Sequence, residues 1–412
     1  MANPGIKVSR RIQWVKEVTP GTAVFPKTAI WRGTGVIEDQ RPVTFVPEDI
    51  GYASGVNRSY IPYLMSQLKL DAVEATFEQL PYLFEMGIDT VQTGVADGAG
   101  SGKIYRYVLP TTTPITASPK TYSVQAGDDQ QMESAAYQFA LDIHLSGTAQ
   151  QAVKCDATLV MRSADPVTLT AATISFDNAH HILDSANGLA IFAVGQKVKA
   201  SGTANNNATF TVTTATAGQL TVTENTATEA AGTPFTLDET WSTVALPAVE
   251  NILFQNAKLY IDPVGGALGT TQATNTFLAF DLRITTGWKA QFTGDGNLFF
   301  SFMKFVGAPM MKVELDLTYE HNGTAVAEKA AARAQTPRQV RLQVNGSTLT
   351  TAGTKYSTKA LRVDLAGKYS KWTALQDDNG NSTIMCTLTG AYDATAALFA
   401  VVEICNVLAS LP

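Results

Sequence analysis

Charged residues are scarce in this chain. They make up 16% of its 412 residues, against roughly a quarter in an ordinary soluble domain. A surface with so little charge is suited to meeting protein rather than water. The balance is acidic, with a formal net charge of −6, and no basic stripe interrupts it. That argues against a general nucleic-acid binder. Cysteine is nearly absent: Cys155, Cys386 and Cys405 are widely spaced, odd in number and outside any C-x-x-C pair. The pattern argues against a disulfide framework or a zinc site and for buried, reduced thiols. No apolar run reaches the roughly 18 residues of a membrane span. The nearest, Ala396–Leu408, is broken by Glu403 and Asn406. Met1–Gly5 carries no apolar run behind a basic start, so no signal peptide is expected. The expectation is a protein made and folded in a cytosol, with no membrane partner.

Motifs that carry chemistry are missing too. The histidines are His144, His180, His181 and His321, and none has a second His or Cys at ligand spacing. His180 and His181 are adjacent, so on a strand they face opposite ways and cannot chelate together. Val95–Lys103 has the look of a phosphate loop. It carries Asp97 where the first glycine belongs and Ile104 where Ser or Thr should follow the lysine, so a flexible surface loop is the better reading. Asp377–Asn381 resembles the start of a calcium loop. Its glycine, Gly380, comes too early and the position of the final Glu holds Leu388, so a hairpin turn is expected instead. Neither a Gly-x-Ser-x-Gly elbow nor a His-Glu-x-x-His run occurs. No catalytic residue, metal or cofactor is expected, and the function should lie in the surfaces.

What the chain does have is alternation. Arg11–Val18 and Ile30–Ile37 read as the first strands. Tyr137–Gly147 places Tyr137, Phe139, Leu141, Ile143 and Leu145 on one side, and Val153–Arg162 follows as its partner. Lys258–Asp262, Phe277–Gly287 and Met311–Tyr319 continue in the same style. Val340–Asn345, Leu361–Ala366, Ile384–Thr389 and Leu398–Val407 close the chain. The last is apolar on both faces and belongs inside the sheet. Two helices are expected. Ala72–Ile88 sets Val73, Phe77, Leu80 and Phe84 on one face, with Thr76 and Gln79 as a capping box. Thr324–Gln335 is alanine-rich and stops before Pro337. Many strands against two helices predict a mainly β fold, a sandwich or barrel with flanking helices.

Two stretches stand apart. Residues 39–62 lose the alternation: Pro42, Pro47 and Pro62 forbid a central strand, yet Phe45, Tyr52, Tyr60 and the adjoining Tyr63 are large and apolar. Such a stretch is either a loop folded on its own surface or an arm that docks on a neighbouring subunit. Residues 165–238 are rich in Thr and Ala. Gly195–Lys199, Ala208–Thr213 and Gln219–Thr223 alternate between turns at Ser201–Asn207 and Ala217-Gly218. That is a small, complete all-β domain inserted in a discontinuous core of residues 1–164 and 239–412.

Several of these features together resemble the major tail tube proteins of long, non-contractile-tailed bacteriophages. The opening Val15–Ala23 is similar to the start many of them share. Glu74–Leu83, with Leu80-Pro81, resembles their Leu-Pro-containing helix. The order Leu388–Asp393 followed by a final strand before Asn406 fits as well, and Gly188–Thr223 resembles a β module added to phage virion proteins. The resemblance implies a β-sandwich whose subunits form rings, usually of six. The rings stack into a tube that forms on a tape-measure protein and meets tail terminator and tail-tip proteins. Duplex DNA later passes through without specific binding. It implies a place in the virion tail, after assembly in the host bacterial cytoplasm. It makes Pro42, Phe45, Pro47, Tyr52 and Tyr60 the inter-ring arm. Asp281, Arg283, Lys312, Glu314 and Asp316 become candidates for the lumen, on the polar sides of two strands between which the sequence does not choose. Tyr137–Gly147 with its partner also echoes Phe277–Gly287 with Met311–Tyr319. A duplicated chain could imitate a six-fold ring with three subunits. Six subunits are the expectation, because the N-terminal half looks short of strands. The competing readings are another virion β protein, such as a decoration or fibre component, and a glycan-binding or hydrolytic surface protein with residues 165–238 as its head.

Overall fold

The computed structural model describes residues 5–111, 119–308 and 310–411; the opening Met1–Pro4 lies outside them. The fold is mainly β, with 51% strand, 7% helix and several sheets. Its logic is a strand ladder built twice. The first copy contains β1 (Arg11–Lys16), β2 (Gly35–Gln40), β3 (Met65–Glu74), α1 (Leu80–Gly87), β4 (Tyr122–Gly127), β5 (Met132–Thr148) and β6 (Lys154–Met161). The second contains β7 (Ala257–Pro263), β8 (Phe277–Thr286), β9 (Met311–Glu320), α2 (Gly323–Arg333), β10 (Arg338–Thr348), β11 (Thr358–Trp372) and β12 (Asn381–Gly390).

In the first copy the antiparallel order is β1-β4-β5-β6-β3-β2. In the second it is β7-β10-β11-β12-β9-β8. Strand for strand these are the same connections. Finer details repeat as well. β5 and β11 are the long strands of each set, at 17 and 15 residues, and each changes partner along its length, from β4 to β6 in one and from β10 to β12 in the other. Both carry a bulge against the next strand, at Ala140/Asp142 in one and Tyr369/Lys371 in the other; a bulge bends the strand that carries it. A helix follows β3 and another follows β9. Each copy also sends out a β-hairpin at the same place, within the 24 residues between β2 and β3 and the 24 between β8 and β9.

The duplication corrects two expectations. The N-terminal half is not short of strands. Residues 89–127, where the sequence suggested none, hold the hairpin Asp89–Ala96/Lys103–Val108 as well as β4. The echo between halves is real, but its correspondence differs: β5 and β6 match β11 and β12, while β8 and β9 match β2 and β3. The two copies meet where β5 pairs with β8, from Asp142↔Thr285 to Thr148↔Ala279. β13 (Ala400–Asn406) lies between β11 and Lys103–Val108, which places it inside the sheet as its two apolar faces demand.

Local physics sets the remaining differences. The expected helix from Ala72 begins only at Leu80. Pro81 fits a helix solely in its first turn, and Ser66, Leu68 and Leu70 already alternate inward as a strand. Thr76 Oγ1 accepts from Gln79 N at 3.2 Å, the half of the capping box that forms. All of α1 is buried, Phe84 and Leu83 completely; each such side chain contributes about 1.5–3 kcal/mol of burial. On β5 the bulge splits the predicted apolar row. Tyr137, Phe139 and Leu141 pack around Phe300, whereas Ile143 and Leu145 enter the main core. Ile30–Ile37 divides into the short strand Ala29–Ile30 and β2. The Val95–Lys103 stretch is a pinned hairpin turn rather than a loose loop, because the buried Asp97 carboxylate accepts from Lys355 N and Tyr356 N. Asp377–Asn381 is the hairpin turn its composition suggests, with Asn379 and Gly380 both at positive φ.

Between the two copies sits a seven-stranded sheet running from Thr168 to Thr240. It encloses its own core of Ile174, Phe176, Val198, Phe210, Leu220 and Leu237. Its first and last strands are neighbours, with Thr168 opposite Asp238, so the chain enters and leaves at one point. That point is a polar junction. Glu239 accepts from Gln125 Nε2 at 2.5 Å and Ser134 Oγ at 2.7 Å, and Asp165 bridges Ser134. Lys27 is buried beside it. Burial pulls its ammonium down to about 7, partly offset by Glu239 and Glu17. A chain with residues 166–238 replaced by a short Gly-Ser link keeps Asp165, Glu239 and the main apolar core, which draws on no residue of that stretch; it gives up the contact of Gly195 with Phe25 and Pro26 and the hydrogen bond from Lys197 Nζ to Thr243 Oγ1. We expect it to fold with a thermal midpoint within about 4 °C of the full chain, since about 1 kcal/mol corresponds to such a shift. Loss of the cooperative transition in calorimetry would make the sheet part of the core.

Candidate assembly interfaces

Residues 41–64 form an arm that is ordered as a two-stranded ribbon, Thr44–Pro47 against Val56–Tyr60. The sequence suggested an irregular loop. Prolines are compatible with the ribbon because each of its strands has a single partner, and the register breaks at Val46/Pro47. Glu48 and Arg58 brace it at 2.6 Å. The ribbon pairs with no other sheet among the described residues. It leaves Phe45, Tyr52 and Tyr60 exposed at 62%, 69% and 55%. Pro47 is exposed as well and Pro42, at the base, is half-buried. Three large aromatics held this far into water on one ribbon form an exposed apolar row, and a row calls for an explanation where scattered single apolar residues do not.

The matching hairpin of the second copy, Trp288–Gln291 against Phe302–Phe305, behaves differently. It folds back onto the first copy. Trp288 and Phe300 pack with Tyr137, Phe139 and Val160, and Leu64 N donates to Leu298 O at 2.9 Å. One hairpin is therefore satisfied within the chain while its twin is not.

The five residues expected at a lumen come together. β8 and β9 are adjacent, so Asp281 lies opposite Asp316, and Arg283 opposite Glu314. The sequence could not choose between the two strands because they are neighbours in one face. Lys312 reaches Glu314 at 2.7 Å, and Arg283 reaches Asp281 at 3.0 Å. The face continues across the joint. His144 on β5 lies opposite Arg283, with Nδ1 2.7 Å from Asp156 Oδ2 and Nε2 3.0 Å from Asp281 Oδ2. The hydrogen bond to Asp156, with Asp281 beyond, holds the His144 imidazole above its usual pKa against the burial that lowers it. On β5, β6, β8 and β9 the polar face carries Asp142, Asp156, Asp281, Glu314 and Asp316 against Lys154, Arg283 and Lys312, an acidic excess. The role of His144 and Asp156 was hidden because strand neighbours are not sequence neighbours. Only the alternation of β5, which puts His144 on its polar side, carried a signal.

Glu17 is a further residue the sequence did not single out. Its buried carboxylate accepts from Gly21 N, Thr121 Oγ1, Ser123 Oγ and Tyr137 N, at 2.7 to 2.9 Å. It therefore ties the Thr19-Pro20-Gly21 turn to β4 and β5. Each donor left unpaired in its absence would cost about 1–3 kcal/mol.

The described residues contain no cluster of three or more His, Cys, Asp or Glu that could hold a metal. The three cysteines are free and buried. Among the described residues no helix is long and apolar enough to cross a membrane. The sequence matches no family model and no curated protein.

Proposed function

We propose that this chain is the structural subunit of a phage-type tail tube, closing into rings that stack into a hollow conduit for duplex DNA. One observation carries the reading. The duplicated ladder ends in two unlike open edges, and the chain already joins one such edge to the other internally, at β5–β8. A head-to-tail contact of this kind closes into a ring when its rotation permits, and exposed strand edges are a hazard unless another chain covers them. With two repeats in each chain, three copies supply the six repeats of the ring that the resemblance implies. The Pro42–Tyr60 ribbon is the stacking arm between rings, and the acidic face of Asp281, Glu314 and Asp316 lines the lumen. A wall with an acidic excess suits DNA that must slide, because duplex DNA carries one negative charge per roughly 1.7 Å and a basic wall would hold it. The tape-measure, terminator and tip proteins of the resembling family are the further partners of this reading, and the virion tail is its location.

Electron microscopy of the purified protein tests it. Rings or hollow tubes with a lumen wide enough for a duplex are expected. A stable monomer at high concentration overturns the reading, and glycan binding by that monomer would favour a surface protein instead.

A further inference from the structure

The repeat is regular enough to transfer a register from inside the chain to its outside. One cross-strand row in the first copy reads Val36–Lys69–Thr158–Asp142. The matching row in the second reads Asp281–Asp316–Thr387–Lys371. Val36 thus takes the place of Asp281, and Lys371 that of Asp142. An ion pair checks the alignment: Glu38–Lys69 on β2 and β3 occupies the same two positions as Arg283–Asp316 on β8 and β9, with the charges exchanged.

Within the chain, β5 is paired on both sides: Asp142 lies opposite Thr285 and His144 opposite Arg283 on β8. Its counterpart, the end of β11 with the short strand Gln376–Asp378 that follows it, is paired on one side only among the described residues, with β12. The counterpart of β8 is β2, paired among the described residues only with β3. These are the two open ends of the ladder.

We propose that a second copy of this chain fills them by repeating the β5–β8 joint, so that the end of β11 in one copy pairs antiparallel with β2 of the next. Moving the internal register outward sets Lys371 opposite Gln40 and Thr373 opposite Glu38. Beyond Thr373 this side of the joint carries one extra residue, since Trp372 lies opposite Cys386 and Gln376 opposite Thr383, so the next row along the same face sets Gln376 opposite Val36. Val36 is an exposed apolar side chain, at 50%, and the joint covers it. A free edge that carries an unpartnered apolar residue is what a missing strand partner leaves behind. The inference deepens the tube reading and shares its premise of self-assembly.

The test is site-directed cross-linking of the full chain. The native cysteines are buried, so introduced ones report alone. Assembled particles carrying both Thr373→Cys and Glu38→Cys, treated with a short bis-maleimide, are expected to give a covalent ladder that ends at three chains on a denaturing gel. Thr373→Cys with Asp39→Cys, which points to the opposite face of β2, is expected to give none. Val36→Asp is expected to leave the monomer's thermal midpoint unchanged and to abolish rings. Wild-type rings or tubes in which the Thr373/Glu38 pair does not cross-link would overturn the joint and leave the tube reading standing. A ladder that runs on to six chains would support the joint and overturn the count of three. A wild-type chain that stays monomeric would overturn both.

Discussion

A chain in which Val43–Tyr60 is replaced by a short Gly-Ser link is expected to fold normally, to form rings and to form no tubes. The monomer should lose little. Among the described residues the ribbon hydrogen-bonds only to itself, and Phe45, Tyr52 and Tyr60 are more than half exposed, so their removal takes away almost no buried apolar area. Surface changes of that kind usually stay within about 0.5 kcal/mol. Stacking should lose most of its free energy. A stable interface needs on the order of 1,000 Å² and draws its binding energy from a few aromatic anchors, and this ribbon presents three. The whole ribbon must go, because Val56–Tyr60 would otherwise be left without its partner strand. The triple change Phe45→Ser, Tyr52→Ser, Tyr60→Ser keeps the ribbon and should give the same ring-only particles. Full-length tubes from either variant, seen by electron microscopy, would remove the arm from the stacking contact.

The contrast between the two hairpins explains why this one is free. The hairpin of the second copy reaches the apolar patch of Tyr137, Phe139 and Val160 on the first. By the same register, the surface available to the first hairpin on a following second copy carries Lys368 and Thr389 where Phe139 and Val160 stand. An aromatic ribbon gains little there. It stays off the sheet and is left for a different surface, such as that of another ring.

How much of this the sequence shows depends on the kind of interaction. Strands with strict alternation, β8 and β9 above all, are legible because their polar and apolar sides face water and core throughout. β4 is not: Tyr122, Ser123, Val124, Gln125 and Ala126 are all buried, so no period survives. β5 misleads for a physical reason, since a single extra residue at its bulge moves every later side chain to the other face. The arm is legible as something unusual, from prolines beside aromatics, but its ribbon form depends on a pairing across residues 48–55. The duplication is the largest thing the sequence conceals. The two copies keep the same ladder with different residues, down to an ion pair whose charges are exchanged between Glu38–Lys69 and Arg283–Asp316. Position, not residue type, is what repeats.

Making the acidic face basic is expected to turn a passive tube into one that holds DNA. Asp142 and Glu314 are the residues to change, as Asp142→Lys with Glu314→Lys. Among the described residues Asp142 is exposed with no ion pair, and Glu314 has only the exposed partner Lys312, so the fold should lose no more than about 1 kcal/mol. Asp156, Asp281 and Asp316 are left in place because they hold His144 and Arg283. Each chain gains two lysines where it had two carboxylates, and the repeat along a tube multiplies them. Wild-type tubes should ignore linear duplex DNA at low salt. Variant tubes should retain it, with an affinity that falls about 10³- to 10⁵-fold between roughly 50 and 200 mM salt if some 6–10 phosphates are met. A closed circular duplex has no end to thread and should not be retained. That pair of substrates separates a lumen from an outer surface. Equal retention of circle and linear duplex would place the face of Asp142 and Glu314 on the outside. Retention of neither would place it in a protein contact, where no DNA reaches it.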